Sequence, residues 1–258
     1  MNMKQRSIGI IVITFILLIS MMTAGCLRKR HDEDTVIRSM IYDGLTRSYR
    51  VHIPPNVNSY QALLLVLHGG GGTGEHTEEE LTGFKFNELS EEYDFIVAYP
   101  DGIENRWNDG RTENNPVTEV DDVGFLTTLV DELTEEFNIN EDHVFSTGIS
   151  NGGQMSYRLA CERSEQFKAI APVVSALHLG LAENCSPSNP ISVFLIAGTD
   201  DPLVPFEGGK IRVLNQTFGT VISMNETIQY WVQINNCSTD PMVVPLADND
   251  PNDGCIVT

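Results

Sequence analysis

A serine framed by glycines is the first place in this sequence where chemistry is written. Gly148-Ile149-Ser150-Asn151-Gly152 matches Gly-x-Ser-x-Gly. A nucleophile on a sharp strand-to-helix turn is thrust out of a sheet, and only small neighbours fit beside it. Ser150 is therefore the candidate nucleophile for acyl transfer. Leu67-His68-Gly69-Gly70-Gly71-Gly72 is the second piece. Acyl transfer builds negative charge on a carbonyl oxygen, and glycines let backbone N–H donors come close to it. The candidate donors are Gly70, Gly71 and Asn151, the residue after the serine. A phosphate-cradling loop would need a lysine that this stretch lacks. Gly198-Thr199-Asp200-Asp201-Pro202 is the third piece. A carboxylate there could orient an imidazole, and a plain acidic turn is the competing reading.

These pieces need a scaffold. Ser48 to Ile53 alternates polar and apolar residues, as a half-buried strand does, and Ala62 to Leu67 is a continuous aliphatic strand. The pattern predicts a helix over Glu78 to Tyr93 and a strand over Phe95 to Tyr99. A helix over Val123 to Phe137 and a strand over Val144 to Ile149 follow, and Gln154 to Cys161 begins another helix. Ala169 to Val174 and Ile191 to Ala197 are further strands, and Val221 to Asn235 is a final amphipathic helix. Strands alternating with helices imply an α/β fold, a mostly parallel sheet with helices on both faces. Each chemical piece then sits at a strand's carboxyl end, where such sheets place their sites.

The blocks together are specific. Arg47-Ser-Tyr-Arg-Val-His-Ile-Pro54, the His68 glycine loop, Tyr99-Pro-Asp-Gly102 and Trp107-Asn-Asp-Gly110 come in that order. Val120-Asp-Asp-Val-Gly-Phe125, Gly148 to Gly153, Tyr157-Arg-Leu-Ala-Cys161 and Ala197 to Phe206 complete the series. The chain resembles the poly(3-hydroxybutyrate) depolymerase and feruloyl esterase family of secreted α/β hydrolases. The resemblance implies the α/β-hydrolase fold, a serine carboxylic-ester hydrolase and no cofactor or metal. It gives Ser150 the nucleophile position and Asp201 the acid position. The substrate it implies is a hydroxyacid oligoester or a feruloyl or acetyl ester of polysaccharide. His68 and Trp107 are candidates for the substrate cleft; the alternative is that the His68 ring is a packing element and that Trp107, Asn108 and Asp109 brace the loop. The family's histidine follows a further strand in a glycine-rich turn, yet no histidine follows His178 up to Thr258. The expectation is a domain whose C-terminal strand, helix and histidine are missing. His178 could sit near the mouth, but in the wrong chain order; His68, His143, His31, His52 and His76 look like loop, strand or tether residues. The alternative is a catalytically dead surface lipoprotein that retains the fold, and a peptidase is a third reading, since one triad serves both reactions.

The ends and the charge bound the setting. Lys4 and Arg6, then apolar Ile8 to Met22, then Ala24-Gly25-Cys26 read as a lipoprotein-type signal peptide over 1–25. Cys26 would carry the lipid and anchor the protein to the outer face of the cell membrane. Residues 26–37 read as a tether and 38–258 as the hydrolase domain. Net charge of −20 excludes nucleic acid as a partner. Four cysteines besides Cys26 suggest two disulfides, and proximity favours Cys161–Cys185 and Cys237–Cys255 among three connectivities. The resemblance also implies the first pair. Asp121 and Asp122 open a helix, where carboxylates suit the dipole. Asp248 to Gly254 is off the calcium-loop register by one residue and lacks the closing Glu, so it reads as a solvated turn.

Overall fold

The computed structural model describes residues 34–55 and 60–244. Seven strands form one sheet in the order β1-β2-β4-β3-β5-β6-β7. They are β1 (Thr35–Tyr42), β2 (Leu45–His52), β3 (Leu63–Leu67), β4 (Ile96–Pro100), β5 (Val144–Ile149), β6 (Ala169–Val173) and β7 (Ser192–Val193). β1 and β2 make an antiparallel hairpin on the edge, and β2 joins β4 antiparallel. From β4 to β7 all neighbours are parallel. Asp43 and Gly44, both at positive φ, turn β1 into β2, which is the backbone a two-residue hairpin requires.

Side chains alternate across the sheet as the pleat demands. Leu63, Leu65 and Leu67 of β3 and Ile96 and Ala98 of β4 face the larger core. Helices α2 (Asp122–Phe137), α3 (Asn151–Glu162) and α5 (Met224–Ile234) cover that face with residues such as Leu129, Met155 and Trp231. Val66, Val97 and Tyr99 face the other way, against Phe86 of helix α1 (Lys85–Tyr93). A short helix α4 (Leu179–Asn184) follows β6, and β8 (Gly209–Val213) and β9 (Gln216–Val221) form a separate antiparallel hairpin. The fold is α/β with a mostly parallel sheet and helices on both faces, as expected.

Four expectations are corrected. The helix expected over Glu78 to Tyr93 is broken: a helical turn ends at Leu81, and Gly83 and Phe84 take positive φ before α1 starts. The strand expected over Ile191 to Ala197 is regular only at Ser192–Val193, although backbone bonding to β6 continues to Ile196. The helix expected from Val221 starts at Met224, because Val221 closes β9 and Ser223 with Glu226 forms a capping box. The stretch read as a tether already enters the sheet at Thr35. Cys161 and Cys185 form a disulfide. Cys237 is exposed, while Cys255, the leader, Cys26 and the Asp248–Gly254 turn lie outside the described residues.

One buried ion pair holds the hairpin edge to the core. Arg47 of β2 is about fully buried and donates to Asp122 Oδ1 at 2.6 Å. Its guanidinium lies 3.8 Å over the Phe125 ring, and Asn108 N–H donates to the other Asp122 oxygen at 2.7 Å. Burial pushes the Asp122 carboxyl above its ordinary range while Arg47 pulls it down. Arg47→Ala would leave Asp122 buried without its counter-charge, which costs about 3–5 kcal/mol. We expect a fall in the urea midpoint of that size, and an unchanged midpoint would show the pair to be dispensable.

Candidate active site

Strand β5 ends in a tight turn that only this sequence pattern allows. Ser150 sits at φ 54°, ψ −114°, between β5 and α3. A Cβ on Gly152 would stand 2.3 Å from the Leu67 carbonyl oxygen, and one on Gly148 would stand 2.5 Å from the Gly152 backbone. The glycines thus let β3 and the helix start pass beside the serine. Ser150 N–H donates to the Val173 carbonyl at 2.9 Å, which pins the turn to β6.

The glycine loop after β3 comes up against this turn. A Cβ on Gly70 would lie 3.7 Å from Asn151 Cβ, so the two candidate donor residues are neighbours. Their N–H groups take no carbonyl partner among the described residues. Gly71 is different. Its N–H donates to the Asn105 carbonyl at 2.7 Å. It is engaged in holding the loop and is not placed as a donor to a substrate oxygen, which corrects the expectation for that residue.

For His68 and Trp107 the structure takes the packing and bracing alternative over the substrate cleft. Both are fully buried, so neither lines a substrate cleft. His68 Nε2 accepts from Gly102 N–H at 2.9 Å, which leaves Nδ1–H to donate to the Gly69 carbonyl at 2.8 Å. Trp107 Nε1–H donates to the His68 carbonyl at 3.0 Å, and the two rings lie 4.8 Å apart. These side chains fasten the glycine loop to the loop after β4.

A buried polar network completes the bracing; bracing by the Trp107 to Asp109 block was one of two sequence expectations, but the partners Asn151, Arg111 and His178 were not foreseen. The Asn151 side chain accepts from Trp107 N–H at 2.8 Å and donates to the Trp107 carbonyl at 3.1 Å and to Asp109 at 2.6 Å. Asp109 is fully buried and paired with Arg111, whose Nη1 donates to the Phe218 carbonyl of β9 at 2.7 Å. His178 Nε2–H donates to the Asp109 carbonyl at 3.0 Å while Nδ1 accepts from Leu181 N–H at 3.1 Å. The only legible signal was the Trp107-Asn108-Asp109 block itself.

Ser150 opens into a cavity of about 320 Å³ bounded by Gly69 to Gly72, His76, Thr77, Leu81 and Ile149. His76 Nδ1 lies 3.4 Å from Glu80. A larger cavity, about 590 Å³, lies between β7 and α5, and neither Ser150 nor the glycine loop lines it. Asp201 follows the β7 segment, two strands along from the elbow. It is half-buried, and Oδ1 accepts from Leu203 N–H at 2.8 Å and Val204 N–H at 2.9 Å. Asp121 caps α2 by accepting from Gly124 N–H at 2.9 Å, as expected for a structural carboxylate. Among the described residues no group of three or more His, Cys, Asp or Glu side chains is gathered as a metal site.

Known proteins resemble this chain in sequence and in fold. The chain is 36% identical over 181 residues to NocK of Nocardia uniformis subsp. tsuyamanensis, named as an esterase, covering 69% of this chain and 52% of that one. It is 34% identical over 115 residues to feruloyl esterase C of Emericella nidulans, covering 44% of this chain and 38% of that one. The crystal structure of a thermostable esterase matches the fold with a TM-score of 0.59 at 19% identity, covering 79% of this chain and 52% of that one. The chain belongs to an esterase family of the α/β-hydrolase type. A prolyl oligopeptidase family model also matches residues 86–184, a stretch that includes the elbow. The chain spans about half the length of NocK.

The histidines among the described residues are mostly committed to the fold. His68 and His178 have both ring nitrogens engaged, and His143 lies at the amino end of β5, where its Nδ1–H donates to the Gln61 carbonyl. His52 is buried in β2 beside Thr35. Only His76 among the described histidines borders the Ser150 cavity. Burial lowers the pKa of both His68 and His178. Their folded values lie below the unfolded value of about 6.5, so the unfolded chain binds protons first as pH falls. Stability is full above about pH 6.5 and declines below it toward the folded pKa values. The urea midpoint is expected to drop on acidification through that window, and His178→Gln is expected to flatten the drop. A midpoint equally pH-dependent in the variant would remove His178 from the account.

Proposed function

We propose that the protein is a serine esterase with Ser150 as nucleophile. One observation carries this reading: a serine held in strained backbone opens into a cavity beside the unspent N–H groups of Gly70 and Asn151. Ser150 Oγ attacks the ester carbonyl carbon, and the carbonyl π electrons move onto oxygen. The Gly70 and Asn151 N–H groups bind that oxyanion. The intermediate collapses, the alkoxide leaves with a proton, and water then hydrolyses the acyl-serine. An imidazole must take the Ser150 proton and return it to the leaving group. Asp201 is assigned the role of orienting that imidazole, which in the hydrolase order follows it in the chain.

The named relatives favour ester over amide substrates. Feruloyl and acetyl esters of polysaccharide and hydroxyacid oligoesters are the proposed substrates. We place the protein outside the cytoplasm, lipid-anchored through Cys26 to the outer membrane face. The leader pattern supports that placement, and so does the Cys161–Cys185 disulfide, since disulfides persist in oxidising compartments.

Ser150→Ala in the native, full-length protein is expected to abolish covalent labelling by a fluorophosphonate probe and to lower ester turnover by at least about 10³-fold. Labelling that survives the change would sink Ser150 as nucleophile. Asp201→Asn is expected to lower kcat far more than it raises KM, because it acts on the imidazole and not on substrate. His76→Ala is expected to leave labelling of Ser150 in place; loss of labelling would make His76 the base instead.

A further inference from the structure

Among the described residues Arg106 is one of three arginines, with Arg163 and Arg212, whose guanidinium holds no carboxylate within 4 Å, and of the three it is the one that lies against the glycine loop. The guanidiniums of Arg38, Arg47, Arg50, Arg111 and Arg158 each hold a carboxylate. Arg106 holds none within 4 Å among the described residues, in a chain with 36 acidic residues against 16 lysines and arginines. Its guanidinium is instead laid over the Phe218 ring, 5.3 Å from the centroid. Nη1 lies 3.5 Å from where a Cβ on Gly70 would be, beside one of the two N–H donors of the proposed oxyanion site. The arginine is half-buried there, not waving in solvent.

Its position is built. A Cβ on Gly102 would stand 2.1 Å from the Arg106 carbonyl oxygen, so the turn is closed as tightly as glycine permits. Arg106 N–H donates to the Ile103 carbonyl at 3.0 Å, and Gly102 N–H is tied to His68. The next residue, Trp107, is gripped at both backbone atoms by Asn151. The same network that aims the elbow therefore also aims the Arg106 side chain at the glycine loop.

From this we infer that Arg106 is a carboxylate-reading residue: the preferred ester carries a free carboxylate that pairs with this guanidinium when its scissile carbonyl is at Ser150. The inference rests on the esterase reading above and narrows it to a class of substrate. The oxyanion is charged only transiently and already faces two N–H donors. A permanent full charge, partly desolvated against an aromatic ring, matches a permanent anion in the bound molecule. Guanidinium and carboxylate also meet in a two-pronged geometry that fixes orientation as well as affinity. The carboxylate could be the acid end of a hydroxyacid oligoester or that of a uronic acid bearing the ester.

The test is a ratio within matched pairs. A 3-hydroxybutyrate trimer as free acid is compared with its terminal methyl ester, and an acetylated galacturonate with its methyl ester. In the native protein the free acid is preferred in one pair, and which pair identifies the source. In Arg106→Gln the preference, read as the ratio of kcat/KM values, falls by about tenfold or more, and Arg106→Lys recovers part of it. Equal losses on acid and methyl ester would overturn the inference and make Arg106 a positioning or oxyanion residue. A native protein without preference in either pair would also overturn it. Binding is read separately, so that failure of the esterase reading stays distinguishable. The free acid of the preferred pair is expected to raise the Tm of Ser150→Ala, but not that of Ser150→Ala/Arg106→Gln, whatever the turnover. No Tm shift with either acid in Ser150→Ala would sink the proposal even if esters are hydrolysed.

Discussion

The amide of Asn151 is the contact on which the geometry of the site depends. It reads both backbone atoms of Trp107 and also donates to Asp109. One side chain thereby joins the first residue of α3 to a loop more than forty positions earlier in the chain. Any drift of that loop would leave three polar groups unpaired in a buried setting, each costing about 1–3 kcal/mol. The elbow and the loop after β4 consequently move as one body.

The rest of the site is assembled onto that body by a chain of similar bonds. The loop carries Gly102, which grips His68, and His68 fixes Gly69. It carries Asn105, which occupies the Gly71 N–H and leaves the Gly70 N–H unspent. It carries Asn108, whose N–H meets Asp122 and so connects to Arg47 in β2. On its far side Arg111 reaches the β8–β9 hairpin through the Phe218 carbonyl. A glycine loop has little stiffness of its own, because glycine gains its freedom by losing side-chain contacts. The stiffness is supplied from below by buried polar side chains, which is why His68 and Trp107 are inside and the glycines line the cavity.

Much of the scaffold was legible, and the reason is periodicity. The aliphatic runs at β3 and β5 and the three- and four-residue spacing of α2 record burial directly in residue type. The elbow was legible because its glycines answer to a steric demand within five residues. Other parts were not. The break after Leu81 depends on Gly83 and Phe84 taking positive φ, and a Phe carries no sign of that. Only Ile211 and Val221 of the β8–β9 hairpin are buried, so its residues alternate weakly. The β1–β2 hairpin had a local signal in Asp43-Gly44 that the reading passed over. The roles of His68, Gly71 and Trp107 turned on partners far along the chain. Loops are ordinarily solvated, so apart from the Trp107-Asn108-Asp109 block the residue pattern gave no hint that the 101–111 loop would be threaded through the interior.

Strain argues for chemistry at Ser150 more strongly than the motif does. A non-glycine residue at φ 54°, ψ −114° lies outside the favoured regions and costs about 1–3 kcal/mol. Glycine would relieve that cost, and the flanking glycines show that this turn admits it. Beside the serine, Val174 at the end of β6 is also at positive φ, where a β-branched residue is an outlier. Val174 N–H donates to the Ile196 carbonyl at 2.8 Å, and Ser150 N–H to that of Val173, so both strained residues are held by bonds between strand ends. Both strained residues thus stand at one carboxyl edge of the sheet, and Ser150 borders the cavity. A hydroxyl carried on such a turn serves the fold no better than a hydrogen atom would. What it gains is exposure at the helix start, beside two N–H groups that take no carbonyl partner among the described residues.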